Sequence, residues 1–406
     1  MTHDALPSTA PSPASLLDTF ESLHGRPADG VWSAPGRVNL IGEHTDYVGG
    51  LVLPIALPQR TVAACARRGD DLVRVHSATL DQTAEIALGE VGPGSPGGWP
   101  SYAAGVLWAL REAGHEVGGI DAVIDSSVPV GAGLSSSAAL ECAVGAAVSD
   151  LFDLALLADD TARRELIAAC IRAENDVAGA ATGGMDQSAA LLCRPGHALY
   201  LDCRSGEVEH IPFDLEDHGL VLLVTDTRAA HTLADGQYEV RRRAAERAAE
   251  RLGLATLRDV DPHALDEALE TLAGDSPGDR PGNDELVRRA RHVVTEIDRV
   301  RATVAALRED DFDTVGELFT TSHVSLRDDF EVSCAELDLA VETALGAGAL
   351  GARMTGGGFG GSSIALVPAE AAAHTADLIT AAYADRGWSA PHSFAVTAGG
   401  AARRDL

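Results

Sequence analysis

Pro129-Val130-Gly131-Ala132-Gly133-Leu134-Ser135-Ser136-Ser137-Ala138 lies between a strand-like apolar run, residues 120–128, and a helical run of small apolar residues, 138–148. Glycines let a backbone approach a ligand and turn its N–H groups inward. The start of the following helix adds positive dipole character, and three serines offer hydroxyls to phosphate oxygens or a metal. The stretch therefore reads as an anion cradle that uses no cationic side chain. The same residues also spell a tight strand-to-helix turn, with Ser135 as N-cap and no ligand. The run alone leaves both readings open.

The rest of the chain bears on that choice. The 31 basic residues are all arginine, and there is no lysine in the 406 residues. This removes Schiff-base chemistry, the Walker A loop and the protein-kinase strand lysine, so any phosphate handling must work without an amine. The net charge of −30 argues against nonspecific binding to nucleic acid or anionic lipid. An anionic substrate such as a nucleotide would need positive character supplied locally, by backbone N–H groups, a metal ion or placed arginines. The six cysteines are scattered, with no Cys-x-x-Cys pair, which fits a reducing compartment. Residues 1–15 are rich in Pro, Ser, Thr and Ala, with neither a basic start nor an apolar stretch, and read as a loose tail. No apolar run approaches membrane-spanning length. A cytoplasmic protein is expected, a monomer or weak homo-oligomer.

Length favours two domains. Strand-like runs at 31–33, 51–55, 60–66 and 72–77 are followed by a Gly/Pro-dense loop at 90–99 and a helix at 102–113. Beyond the Gly/Ser stretch come a helix at 161–180, strands around 199–223, Arg/Ala/Glu-rich helices at 237–252 and 284–307 separated by a loop at 274–282, and a strand at 363–367. A short helix opened by Ser15 is expected at 16–23. Strands and helices mix without βαβ alternation, so the fold class is α+β. The division is placed at 16–205 and 206–406.

Two more stretches carry chemistry. Pro35-Gly36-Arg37-Val38-Asn39-Leu40-Ile41-Gly42-Glu43-His44-Thr45-Asp46-Tyr47 reads as a polar turn between strands. Its Glu43, His44 and Asp46 suit a hydroxyl-rich ligand, or the capping of a turn or helix. Gly351-Ala352-Arg353-Met354-Thr355-Gly356-Gly357-Gly358-Phe359-Gly360-Gly361 is a second glycine turn, whose consecutive glycines neither helix nor strand propensity explains. Met354 reads as core filling.

Together, in this order, the three stretches resemble the galactokinase family of the GHMP kinases. The middle one resembles the nucleotide motif shared by all GHMP kinases, and the stretch from Pro35 to Tyr47, with Gly49-Gly50, resembles the galactokinase signature. The resemblance implies a two-domain GHMP kinase fold with the active site in the cleft between domains. It implies ATP and Mg²⁺ as co-substrates and phosphorylation of the C1 hydroxyl of galactose. On this likeness Arg37 stands beside the reacting phosphoryl and Asp186 is the catalytic aspartate. Glu43, His44, Thr45, Asp46, Gly183 and Tyr238 stand at the sugar. Gly131, Ala132, Gly133, Leu134, Ser135, Ser136 and Ser137 hold the nucleotide, and Ser137 with Glu174 meets the metal. Val48 departs from the usual Asn, and Gly184 from a usually larger residue.

Phosphoryl transfer needs positioning and charge neutralisation more than covalent help. Arg37 is expected as the electrostatic stabiliser. Asp186 is expected as general base, or as a group that holds Arg37 and the sugar without taking a proton. Taken bare, Glu174 would be a solvent-facing helical carboxylate paired with Arg172 or an i±4 neighbour, and Arg37 an ion-pair partner of Asp186. The same scaffold also suits an N-acetylgalactosamine or arabinose kinase. A catalytically dead sugar sensor is disfavoured, because Ser137-Ala138, Arg37 and Asp186 are intact.

Overall fold

The computed structural model of the protein describes residues 12–180, 182–229, 236–274 and 280–406. The first eleven residues of the tail and the middle of the loop at 274–282 lie outside the described residues. Among the described residues, chain order intersperses strands β1 (Gly30–Asn39), β2 (Leu51–Val52), β3 (Pro54–Arg67), β4 (Leu72–Ser77), β5 (Gln82–Ala87), β6 (Ile120–Ser126), β7 (His197–Asp202), β8 (Val208–Pro212), β9 (Leu220–Asp226), β10 (Gly351–Thr355), β11 (Ser362–Pro368), β12 (His392–Val396) and β13 (Arg403–Arg404) with eleven α-helices. The helices are α1 (Pro13–His24), α2 (Pro100–Glu112), α3 (Ser136–Leu151), α4 (Asp160–Arg172), α5 (Met185–Leu192), α6 (Gln237–Arg251), α7 (Leu265–Ala273), α8 (Arg280–Arg308), α9 (Phe312–Asp328), α10 (Ala335–Gly346) and α11 (Ala372–Asp385).

Among the described residues the strands form three sheets: β13-β1-β3-β6-β4-β5, β10-β11-β9-β12 and β2-β7-β8. Pairing is antiparallel except between β4 and β6. The large sheet is covered on both faces, and its alternation shows why. Trp32, Ala34 and Ala63 face the core shared with α2, α3, α4 and α5. Val31, Val62 and Ala64 face Leu16 and Phe20 of α1. The four-stranded sheet likewise packs Leu223, Ala352 and Ala365 against α10 and α11. Its other face, through Val224, Met354 and Ile364, joins a core with α6, α8 and α9 that also takes in Leu40, Ile41 and Leu53 from the first half of the chain.

Several expected elements shift. The polar turn expected at 35–47 starts too early, because residues 35–39 complete β1, which is buried throughout. The ladder with β3 steps at a bulge between Pro35 and Arg37. Pro35 has no N–H to give, and Gly36 lies so close to the glycine/serine turn that a Cβ there would stand 2.6 Å from the Leu134 carbonyl oxygen. Beyond the bulge, Arg37 N donates to that same carbonyl at 3.1 Å. The first helix starts earlier than Ser15, with Ser12 as N-cap and Pro13 in its first turn. The helix expected at 161–180 ends as an α-helix at Arg172 and continues as a π-helix, Ala173–Ala178. The chain does not finish in its second half, since β13 returns to pair with β1.

Candidate active site

Five pieces of chain converge on one cavity of about 160 Å³. The end of β1 and the following loop bring Arg37, Glu43, His44 and Asp46; the π-helix brings Glu174; the start of α5 brings Met185 and Asp186; and α6 with the distal glycine turn brings Tyr238, Gly356 and Gly357. At roughly 30 Å³ per liquid water, that space holds about five waters or one compact monosaccharide.

Arg37 is almost fully buried. Its Nε donates to Asp186 Oδ1 at 2.8 Å, and its Nη1 donates to the Gly133 carbonyl at 2.6 Å. The second oxygen of Asp186 accepts a short hydrogen bond from the Ser135 hydroxyl. Ser135 is therefore no side-chain N-cap: it stands at φ 58° before α3 and makes no capping bond. Its hydroxyl ties the glycine/serine turn to Asp186 instead.

Glu174 is buried, not solvent-facing, and Arg172 pairs instead with Asp176 at 3.5 Å. The Ser137 hydroxyl donates to Glu174 Oε1 at 2.9 Å. Gln187 Nε2 donates to Glu174 Oε2 at 2.5 Å and to Glu141 Oε2 at 3.0 Å, so one amide holds two buried carboxyls. Burial, then the nearby Asp186, pushes Glu174 up to about 7. Burial, then Glu174, raises Glu141 well above the usual carboxylate range. Among the described residues, no group of three or more His, Cys, Asp or Glu is arranged to hold a metal by itself.

Asp46 is raised to about 6, first by burial and then by Asp186. Gly183 lies behind it, where a Cβ would stand 2.2 Å from Asp46 Oδ2. His44 has φ 61° and both ring nitrogens engaged: Nδ1 is 3.2 Å from the Tyr47 hydroxyl and Nε2 is 3.1 Å from the Gly357 carbonyl. Burial, with His292 nearby, drops its pKa to about 3, so the ring is neutral. A neutral ring donates from Nε2 to the carbonyl and accepts from Tyr47 at Nδ1. His44 also packs against Tyr238 and Phe330, with centroids 5.2 and 4.8 Å away. Burial, then Asp46, raises Tyr238, which stays a neutral phenol. Thr45 does not line the cavity; its hydroxyl lies 2.9 Å from the Gly42 carbonyl and 2.7 Å from that of Leu51, closing the loop.

The glycine/serine turn faces a second cavity of about 320 Å³, which Ser136 and Ser137 line with Ser77, Leu80, Trp99, Tyr102 and Leu140. The side chains of Ala132 and Leu134 in that turn pack into the core, leaving its backbone to face outward. The two glycine turns touch, since Ser362 Oγ donates to the Ala132 carbonyl at 2.8 Å. Met354 is core, as expected. Trp99 and Tyr102 escaped the sequence reading, although aromatics at the junction of a Gly/Pro loop and a helix, in a chain with only 4% aromatic residues, were a usable signal. Gln187, Glu141 and Arg353 left no such signal, because their roles depend on partners distant in sequence.

Comparison with known proteins agrees with this geometry. The chain matches the galactokinase galactose-binding signature over residues 18–67, the GHMP kinase N-terminal domain over 101–194 and the GHMP kinase C-terminal domain over 303–385. It is 49% identical to a galactokinase of Streptomyces coelicolor, over 95% of this chain and 97% of that one. It is 42% identical to a human galactokinase, over 91% of each. Among solved structures, the Lactococcus lactis galactokinase complexed with galactose superposes with a TM-score of 0.87 at 31% identity, covering 96% of this chain and 99% of that one. A mevalonate kinase at 16% identity, with a TM-score of 0.61 over 92% of this chain and 98% of its own, shares the fold alone. With a charged cavity joined to a glycine/serine turn through Asp186, and likeness of this extent, the chain belongs to the galactokinase family of the GHMP kinases.

Proposed function

We propose that the protein transfers the terminal phosphoryl group of ATP to the C1 hydroxyl of galactose, giving galactose 1-phosphate and ADP. The observation that carries this is Asp186, whose two oxygens are held by Arg37 from the signature stretch and Ser135 from the glycine/serine turn. One carboxylate thereby spans the sugar cavity and the nucleotide turn.

In this reading galactose occupies the 160 Å³ cavity. Asp46, Glu43 and Tyr238 face its hydroxyls, and the unmatched polar groups left by a wrong sugar supply the discrimination. His44, with both nitrogens already used, shapes the wall. Thr45 and Gly183 support the sugar loop from behind and do not touch the sugar. The adenosine part of ATP takes the neighbouring cavity beside Trp99 and Tyr102, and its phosphates run along the turn at Ser135–Ser137. The C1 oxygen forms the new O–P bond, the bond from that phosphorus to ADP breaks, and the proton of the C1 hydroxyl passes to Asp186 and then to water. Arg37 opposes the negative charge on the moving phosphoryl.

The donors fit Mg²⁺. Ser137 and Glu174 offer hard oxygens to an ion that takes most of its remaining ligands from phosphates and water. A divalent charge would also stabilise the ionised form of Glu174, which burial disfavours. When bound, the ion supplies charge neutralisation to the phosphates.

We take 16–205 and 206–406 as the two working domains, with β13 as a tail that crosses back. Among the described residues no helix is long and apolar enough to cross a membrane. Six free cysteines, four of them buried, support the cytoplasm as the working compartment, and the working state is a monomer or weak homo-oligomer.

The test is steady-state turnover of ATP and Mg²⁺ with galactose, N-acetylgalactosamine or arabinose. Galactose is expected to have the highest kcat/KM. Dominant turnover of another sugar rejects the substrate, and sugar binding without ADP release rejects the activity. Asp186→Asn is expected to lower kcat by about 100-fold or more with a small change in KM. Near-normal turnover with unchanged pH dependence removes the base.

A further inference from the structure

Glu43 is not a free carboxylate at the cavity wall. Arg353 of β10 is fully buried and donates from Nη2 to Glu43 Oε2, while its Nη1 donates to the Leu40 carbonyl at 2.7 Å. Glu43 Oε1 accepts from the Gly356 N–H at 3.1 Å and lies 3.2 Å from the Thr355 hydroxyl. Behind Arg353 stands a second fully buried carboxylate, Glu296 of α8, whose Oε1 is 3.7 Å from Nη2. Glu296 Oε1 accepts from the Gly42 N–H at 3.0 Å and the Ser322 hydroxyl at 2.7 Å, and its Oε2 accepts from Arg299 Nε at 2.7 Å. Burial raises Glu43 while Arg353 opposes it, whereas Glu296 falls to about 2 because the Arg299, His292 and Arg353 charges outweigh its burial.

The row Arg299–Glu296–Arg353–Glu43, with all but Arg299 buried, thus crosses from α8 through β10 to the signature loop, with two charges of each sign. An uncompensated buried ion is costly, and a planar guanidinium serves two directions at once, as a lysine cannot. The row ends on the groups that wall the sugar cavity, namely Glu43 and the turn at Gly356–Gly357. It does not reach Ser136, Ser137 or the second cavity.

We propose that Arg353, backed by Glu296, is a positioning residue for the sugar: it fixes the carboxylate of Glu43 and draws the distal glycine turn onto the signature loop. This rests on the placement of galactose in the cavity given above. The guanidinium touches no substrate. It acts through Glu43 and through the Gly356 N–H that Glu43 accepts, so its loss falls on the sugar and spares the nucleotide.

The experiment compares Arg353→Lys and Glu296→Gln with the unaltered protein, reading kcat, KM for galactose and KM for ATP. Melting shifts induced by galactose and by ADP are read in the same samples. Arg353→Lys is expected to raise KM for galactose about tenfold or more, and Glu296→Gln severalfold, with KM for ATP within about twofold of normal. The galactose-induced shift shrinks while the ADP-induced shift stays. Combining Arg353→Lys with Glu43→Gln is expected to cost much less than the product of the single effects, since one acts through the other. Parallel loss of both substrates, a lowered melting temperature with both KM values unchanged, or independent effects in the double variant overturns the proposal. If Arg353→Lys does not fold, the same split in Glu296→Gln decides. An unaltered protein that binds galactose but does not phosphorylate it refutes the activity, and the galactose-induced shift then still reads the positioning role.

Discussion

Asp46 lies beside Asp186 in the sugar cavity, and burial first, then the neighbouring Asp186 carboxylate, raises its pKa to about 6. In the unfolded chain the same group has an ordinary value near 3.8. Between those values the folded state binds more protons than the unfolded one, so this residue's contribution to stability declines as pH rises from about 4 to about 6 and stays reduced above. Asp46→Asn keeps the shape and removes the charge. Thermal denaturation is expected to show the variant melting above the unaltered protein at pH 8, the gap closing toward pH 4. Galactose affinity is expected to move the opposite way: weaker in the variant at pH 8, and strengthening in the unaltered protein as pH rises through about 6. A variant that both melts lower and binds galactose normally at pH 8 contradicts this reading. Arg37 and Asp46 were legible in the sequence through the signature they belong to, and Asp186 through the family resemblance alone. That both ring nitrogens of His44 meet partners within the protein was not, because one of them depends on Gly357, more than three hundred positions away.

The glycine/serine turn and the end of β1 are held as one unit. Arg37 N reaches the Leu134 carbonyl, and Gly36 leaves no room there for a side chain. Gly36→Ala is expected to wedge strand and turn apart, lowering stability by about 1–3 kcal/mol. It is also expected to raise KM for ATP, in contrast to the sugar-selective effect expected at Arg353. Urea denaturation and nucleotide kinetics check it, and an unaffected KM for ATP means that the turn does not depend on β1. Propensity placed most strands and helices of the first half, but it could not mark where β1 ends, since a bulge with Pro and Gly looks like a turn until the partner strand is known. The π-helix was equally hidden. Its one-residue widening turns Glu174 inward to Ser137, whereas the letters Arg-Ala-Glu-Asn-Asp suggest an ordinary solvated helix. Helices α5, α7, α9 and α11 were not anticipated either. Those of the second half declare themselves through the core they share with α8 and the four-stranded sheet.

At the level of the molecule, the two halves interlock. Leu40, Ile41 and Leu53 from the first share a core with α6, α8 and α9 from the second, and β13 completes the first sheet. The closing contact is short but regular: Trp32 pairs with Arg404 and Ser33 with Arg403, while Val31 N donates to the Leu406 carbonyl at 3.0 Å. Ending the chain at Ala401 is expected to lower the melting temperature and promote aggregation, with galactose and ATP KM values near normal in the folded fraction. Unchanged melting would mean that the strand is dispensable. The α+β class was legible from strands and helices that mix without βαβ alternation, but the crossing tail was not, since two arginines near the end carry no strand signal. The tail also sets an order of events while the chain is being made. β1 emerges from the ribosome with its far edge bare, and its partner follows 373 positions later, as the difference between Gly30 and Arg403 gives. At about 5–20 residues per second, that edge waits roughly 20 to 75 s for its cover. Throughout that interval a nascent chain offers neighbouring nascent chains an open template for pairing, and the cell must guard it with a chaperone or tolerate the loss.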